Sequence, residues 1–299
     1  MFARQLGSAI LGAVLITGCS APATGPTRSP EVATPPVPTG PATAVPTTPK
    51  PTPSFGARLV ALGDSTVGRD TCQGCTTFPR QLATALGQAL GVEVEFLDLS
   101  WSVTNPKPAE VADILRFVRT DKGAIDALSG ADAVVITVGW NDLAFNRFDD
   151  PCKVAPTYPV IAWDKLTHAC IDKVAAEYRR DLDALLGEIE TLRGSKPTML
   201  RVTTTFNAQI GDLIDPGWAA PDATERVRYA VEQIAQTQCE IAERHGGRCA
   251  DTYHALNGPD GLGKPQAFLD PVDQIHPAQS GHDAFAMALI NLGFAPLGD

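Results

Sequence analysis

The run Ala133-Val134-Val135-Ile136-Thr137-Val138 is apolar at nearly every position, so it has no face to turn toward water and must be covered on both sides. Runs of this kind alternate along the chain with stretches whose apolar residues recur at helical spacing, the pattern of a parallel sheet covered by helices. Leu59–Leu62 reads as the first strand, Phe78–Leu90 as the helix behind it, and Val92–Leu97 and Ala133–Val138 as the next two strands. A long helix is expected at about Ile171–Leu192, where Val174, Tyr178, Leu182, Leu185, Ile189 and Leu192 share one face. Thr198–Val202 follows as a strand, Val227, Val231, Ile234 and Ile241 mark another amphipathic helix, Arg248–Tyr253 reads as the fifth strand and Ser280–Leu292 as the closing helix. The expected architecture is a three-layer α/β/α sandwich around a five-stranded, mainly parallel sheet. In open sheets of this type functional groups gather beyond the carboxyl ends of the strands. That edge brings together the loops after Leu62, Leu97, Val138 and Tyr253. Insertions at Asp142–Cys170 and Asn257–Gln274 open near it and are expected to shape a pocket.

The N-terminus reads as an export signal over residues 1–18. Arg4 supplies positive charge, Leu6–Ile16 an apolar stretch, and Ile16-Thr17-Gly18-Cys19 a close of small residues before a cysteine. The stretch is short for a bilayer span, which takes about 20 apolar residues. The ending resembles the bacterial lipobox, in which cleavage precedes the cysteine and its thiol is diacylated; a cleaved signal with an incidental cysteine is the plainer alternative. The resemblance implies a lipid on Cys19, a membrane connection through that anchor alone, and a place on the outer face of the bacterial cytoplasmic membrane or in the cell envelope. Residues 19–54 are rich in Pro, Thr and Ala with little charge, a composition that favours an extended, semi-rigid spacer. Residues 55–299 then form the folded domain, expected to be monomeric. The formal net charge of -10 repels phosphate backbones and makes nucleic acid an unsuitable partner.

The chain has 7 cysteines, and setting Cys19 aside leaves Cys72, Cys75, Cys152, Cys170, Cys239 and Cys249. An even number in an exported chain reads as disulfides, with fifteen possible pairings of six thiols. The simplest set joins nearest neighbours: Cys72–Cys75, Cys152–Cys170 and Cys239–Cys249. Zinc is the rival reading of Cys72 and Cys75, but no second close pair completes a metal-ligand spacing, so no metal is expected.

Ser65 follows the first strand in Gly63-Asp64-Ser65. A serine hydroxyl becomes a useful nucleophile only with a base in hydrogen-bond reach and a third group to orient that base. His276 lies in Asp273-Gln274-Ile275-His276, where a carboxylate three residues back can hold the imidazole in one tautomer. Gly139-Trp140-Asn141-Asp142 ends the buried strand, and an amide held there can donate to a developing oxyanion. Each piece alone also reads as an ordinary turn or helix start.

Together and in this order, the three pieces resemble the signature blocks of the SGNH (GDSL-type) serine hydrolase family, over about Arg58–Leu297. The resemblance implies a flavodoxin-like sandwich with Ser65 as nucleophile, His276 and Asp273 as its partners, and Asn141 with the Ser65 N–H as oxyanion donors. One block departs: Val103 occupies the place where the family has a glycine donating a third N–H, and a β-branched residue tolerates positive φ badly. The six cysteines resemble those of exported actinobacterial esterases and lipases of the family, which carry three bridges. Trp101 and Trp140 flank the oxyanion residues and are candidate pocket walls. His168, His245, His254 and His282 read as surface or packing residues. The implied function is hydrolysis of a carboxylic ester, its acyl group on lipid or glycan, without a cofactor. Acyl transfer to an envelope glycan or glycolipid would use the same residues, and a non-catalytic surface lipoprotein that binds glycan or lipid would use the same fold.

Overall fold

Residues alternate in the direction they face along the strands, and that alternation builds the layers. In the computed structural model β1 (Ala57–Gly63), β2 (Val94–Asp98), β3 (Ala133–Thr137), β4 (Met199–Thr203) and β5 (Arg248–Ala250) form one sheet in the order β2-β1-β3-β4-β5. All four pairings are parallel. Val60, Leu62, Val134, Ile136, Leu200 and Val202 point to one face, and Leu59, Ala61, Ala133, Val135 and Met199 to the other. The first face is covered by α2 (Val111–Thr120), α3 (Lys122–Gly130), α5 (His168–Arg193) and α6 (Pro221–Arg244). The second is covered by α1 (Phe78–Leu90), α7 (Thr252–Asn257) and α8 (Gln279–Ile290), and a short α4 (Trp140–Leu143) follows β3 directly. Every residue of β3 is buried, as its unbroken apolar run requires.

The described residues are 55–68, 72, 74–102, 107–143, 152, 165–208, 210 and 221–298, all within the unit Thr52–Asp299. Cys19, the signal and spacer segments, Val103 and most of the first insertion lie outside them. No described helix is long and apolar enough to cross a membrane. The three-layer α/β/α sandwich is as expected, with a sheet that is parallel throughout. α1 occupies Phe78–Leu90, opened by Pro79 in its first turn and closed by Gly91 at φ 68°.

One reading of the sequence needs correction and one stretch gains elements. The fifth strand ends at Ala250 and not at Tyr253, because the Asp251 side chain accepts the His254 N–H and starts α7. His254 therefore sits on a helix. The stretch between β2 and β3 also carries α2 and α3; Val111, Ile114, Leu115 and Val118 of α2 recur at helical spacing and are buried.

The bridges pair nearest neighbours: Cys72–Cys75, Cys152–Cys170 and Cys239–Cys249, with Cα separations of 5.5, 5.9 and 4.9 Å. The last ties α6 to β5. Three disulfides are consistent with an exported protein.

His282 in α8 is fully buried against the Phe78 ring at 5.9 Å, and neither ring nitrogen has a hydrogen-bond partner among the described residues. Burial pushes its pKa down to about 4, against a small upward pull from Asp283. The unfolded chain takes up this proton below about 6.5 while the folded chain resists it. Its contribution to stability is therefore complete above that pH and is lost as pH falls toward 4, by up to roughly 3 kcal/mol. Thermal melts at pH 7 and pH 4.5 are expected to show a smaller acid-induced drop for His282→Leu than for the wild type. Parallel pH dependence in the two proteins would refute this.

Candidate active site

β1 lies between β2 and β3, so the chain leaves it in one direction to form β2 and later returns to its other side to form β3. A crevice opens at such a switch point, beyond the carboxyl ends of the strands. Ser65 and Asn141 emerge there, one after β1 and the other after β3. At the end of β1, Gly63 has φ 153°, and a Cβ on it would stand 2.2 Å from the Thr137 carbonyl oxygen. Only glycine lets the two chains approach this closely. The Asp64 N–H then donates to Thr137 O (2.9 Å), and the Asp64 carboxylate accepts the Thr66 N–H (2.9 Å). The chain turns within these bonds and presents Ser65 outward.

The partner loop is built by the same local chemistry. Asp273 Oδ1 accepts the N–H groups of Ile275 (2.9 Å) and His276 (3.0 Å), and Gln274 takes up a left-handed φ of 57°. Asp273 Oδ2 meets His276 Nδ1 at 2.7 Å, and His276 Nε2 meets Ser65 Oγ at 2.8 Å. An ionised carboxylate only accepts, so Nδ1 carries the proton and Nε2 offers its lone pair to the serine O–H. Partial burial pushes the Asp273 carboxyl up, but the N–H groups of His276 and Ile275 and the His276 ring together hold it below the ordinary value.

Asn141 sits in α4, two residues beyond Gly139, and lines the same cleft as Ser65 and His276. Gly139 has φ 131°. Around it Gln238 of α6 accepts the Thr205 N–H (2.8 Å) and donates to Val138 O, to which Thr205 Oγ1 also donates (3.0 Å). This fully buried lattice anchors the end of β3 from the α6 side. On the other side Asp142 Oδ1 accepts the Val111 N–H at the start of α2 (2.8 Å). Burial first, and then the negative charge of Asp64 and Asp181, push the Asp142 carboxyl up to about 7 against the Val111 bond. Burial likewise pushes Asp64 up to about 6, against the Thr66 bonds and the attraction of His276.

The cleft extends from Ser65 toward β4, where Thr204, Thr205, Phe206, Ala208 and Phe285 form its wall. Trp140 lines it, but Trp101 does not. The Trp101 N–H bonds Gly63 O (2.9 Å) and continues the ladder on the β2 side of β1, away from β4. The sequence reading missed the β4 loop and Gln238. The rule that drew attention to the loops after β1 and β3 applies equally after β4, whereas nothing in the sequence around Gln238 signals its contact with Val138. The remaining histidines are occupied elsewhere: His168 by Glu225 (3.1 Å), His245 by Asp183 (3.0 Å) and His254 by Asp251 (2.7 Å). Among the described residues no cluster of three His, Cys, Asp or Glu side chains could hold a metal ion.

The profile of the GDSL-like Lipase/Acylhydrolase family matches residues 61–284, which span the Ser65 turn, the Asn141 turn and the His276 loop. The chain belongs to this family. Solved structures share its fold at low identity. The lipase Lip_vut3 from a goat rumen metagenome superposes with a TM-score of 0.59 at 18% identity, over 81% of this chain and 99% of that one. The acetylxylan esterase Axe2 from Geobacillus stearothermophilus gives 0.51 at 20%, over 80% and 95%. The hydrolase LAE5 from a Lake Arreo metagenome gives 0.50 at 19%, over 79% and 94%. No curated protein shows a significant sequence match to the chain. Membership makes a carboxylic ester hydrolase the coarse description of this GDSL-family protein.

Proposed function

We propose that the protein is a serine esterase that cleaves carboxylic esters through an acyl-enzyme, with Ser65 as nucleophile, His276 as general base and Asp273 as its orienting partner. The observation that carries this reading is the unbroken relay from Asp273 Oδ2 to His276 Nδ1 (2.7 Å) and from His276 Nε2 to Ser65 Oγ (2.8 Å) at the mouth of the cleft. Ser65 Oγ attacks the ester carbonyl while its proton passes to Nε2. The tetrahedral oxyanion is held by the Asn141 amide and the Ser65 N–H. The imidazolium returns the proton to the departing alcohol, whose C–O bond breaks to leave the acyl-enzyme. Water then gives a proton to His276, adds to the acyl carbon and releases the acid with free Ser65. None of these steps calls on a cofactor.

The family match, and the lipase and acetylxylan esterase among the structural neighbours, support acyl esters on lipid or glycan as the substrate class. Residues 1–18 are proposed as the export signal, Cys19 as the lipidated residue and 19–54 as the spacer that carries the domain, residues 55–299, to an envelope substrate. The direct test is turnover of p-nitrophenyl esters by the disulfide-intact protein, with labelling by a fluorophosphonate mapped by mass spectrometry. Turnover and a label on Ser65 are expected. A folded protein that neither turns over an ester nor labels would overturn the proposal.

A further inference from the structure

Beyond Ser65 the cleft runs inward and ends against a wall of packed rings. Phe285 is fully buried, meets Phe206 edge to face (5.8 Å, 86°) and stacks on Phe78 (4.9 Å, 30°). Phe78 is itself fully buried at the start of α1, so Phe285 is held between two rings. The space open to the centres of water-sized atoms in the cleft is about 30 Å³, so the cleft is narrow.

The polar groups of the inner wall are already engaged. Thr205 Oγ1 donates to Val138 O (3.0 Å), Thr137 Oγ1 accepts from Thr203 Oγ1 (2.9 Å), and Thr204 Oγ1 accepts the Tyr253 N–H (2.8 Å). What they present to the cleft is chiefly apolar. Such a pocket suits hydrocarbon and gives a sugar hydroxyl poor company, because a buried polar group without a partner is costly.

We propose that this inner end is the acyl pocket, that it admits acyl groups of two to four carbons, and that Phe206 and Phe285 set the limit. The alcohol portion of the ester then lies on the Ser65 side of the cleft, away from the rings. This inference rests on the serine-esterase reading above and narrows its substrate class to short-chain acyl esters.

The test is kcat/KM on p-nitrophenyl acetate, butyrate and octanoate for the full chain and three variants. A rigid hydrophobic pocket discriminates by about 10- to 200-fold per mis-sized methylene. The wild type is expected to prefer acetate over octanoate by about 100-fold or more. Phe206→Leu and Phe285→Leu open the inner end and should narrow that ratio by about tenfold. Ala208→Val fills the pocket and should raise the acetate-to-butyrate ratio by a similar factor, and it keeps the test open if a phenylalanine variant fails to fold. Octanoate turned over as well as acetate by the wild type would overturn the pocket while leaving the esterase standing. So would chain-length ratios that stay unchanged in folded variants. If no ester is turned over and Ser65 takes no label, the esterase reading falls and the pocket with it.

Discussion

Ser65→Ala is expected to lower kcat on p-nitrophenyl acetate by about 10⁴-fold or more and to abolish fluorophosphonate labelling, with thermal unfolding close to that of the wild type. The substitution removes the atom that His276 Nε2 meets at 2.8 Å in the cleft and leaves the Asp64, Thr66 and Gly63 contacts that shape the turn. In the proposed mechanism nucleophile and base act as one unit, so His276→Ala should cost about as much, and the double variant scarcely more than either single one. Additive losses would show instead that the two residues contribute separately. A Ser65→Ala protein that retained turnover within about tenfold of the wild type would move the chemistry to another residue.

Gly139→Ala should damage both the fold and the turnover. At φ 131° an L-residue is strained, and the new Cβ would lie 2.3 Å from Thr205 Oγ1, 2.9 Å from Ile234 Cγ2 and 3.0 Å from Gln238 Nε2. These neighbours cannot give way cheaply, because Thr205 and Gln238 are bonded to each other and to Val138 O, and Ile234 is fully buried. Strain and overpacking of this kind cost about 2–4 kcal/mol together, seen as a lower melting temperature. Relief can come only by moving the end of β3 and with it Asn141 two residues on. If Asn141 is the oxyanion donor proposed above, its displacement costs about 100-fold or more in kcat. Asn141→Ala separates the two effects, for it should lose about 100- to 1000-fold in kcat while melting near the wild type. A Gly139→Ala protein with normal melting and normal turnover would show that the lattice around Val138 has slack that its hydrogen bonds do not suggest.

Much of the fold was legible because it is written in short-range pattern. The apolar run of β3, the amphipathic faces of α1, α5 and α6, and the short sequence separations of the bridged cysteines all lie within one element or between neighbours in the chain. The misread fifth strand shows where pattern fails. Cys249, Ala250 and Tyr253 are as apolar as a strand, but the Asp251 carboxylate offers the His254 N–H a helix start, and that single capping bond decides the outcome. α2 also carries helical periodicity, and α2 and α3 run over only 10 and 9 residues.

The site divides in the same way. Asp273 and His276 are three residues apart, so the chain itself brings carboxylate and imidazole together, and the sequence alone was enough to pair them. Ser65 and His276 are 211 residues apart, and the bond between them exists because β1 and the loop before α8 reach the same edge of the sheet. Signature blocks suggested that meeting, but the layers produce it. The inner wall of the cleft is tertiary altogether. Thr205, Phe206 and Ala208 come from the loop after β4, Phe285 from α8, and Gln238 reaches across from α6 to hold Val138. A residue's pattern records which way it faces within its own element, because backbone geometry repeats over a few residues. Which other face it meets depends on strand order and on how the helices pack across the sheet, and only the assembled structure decides that.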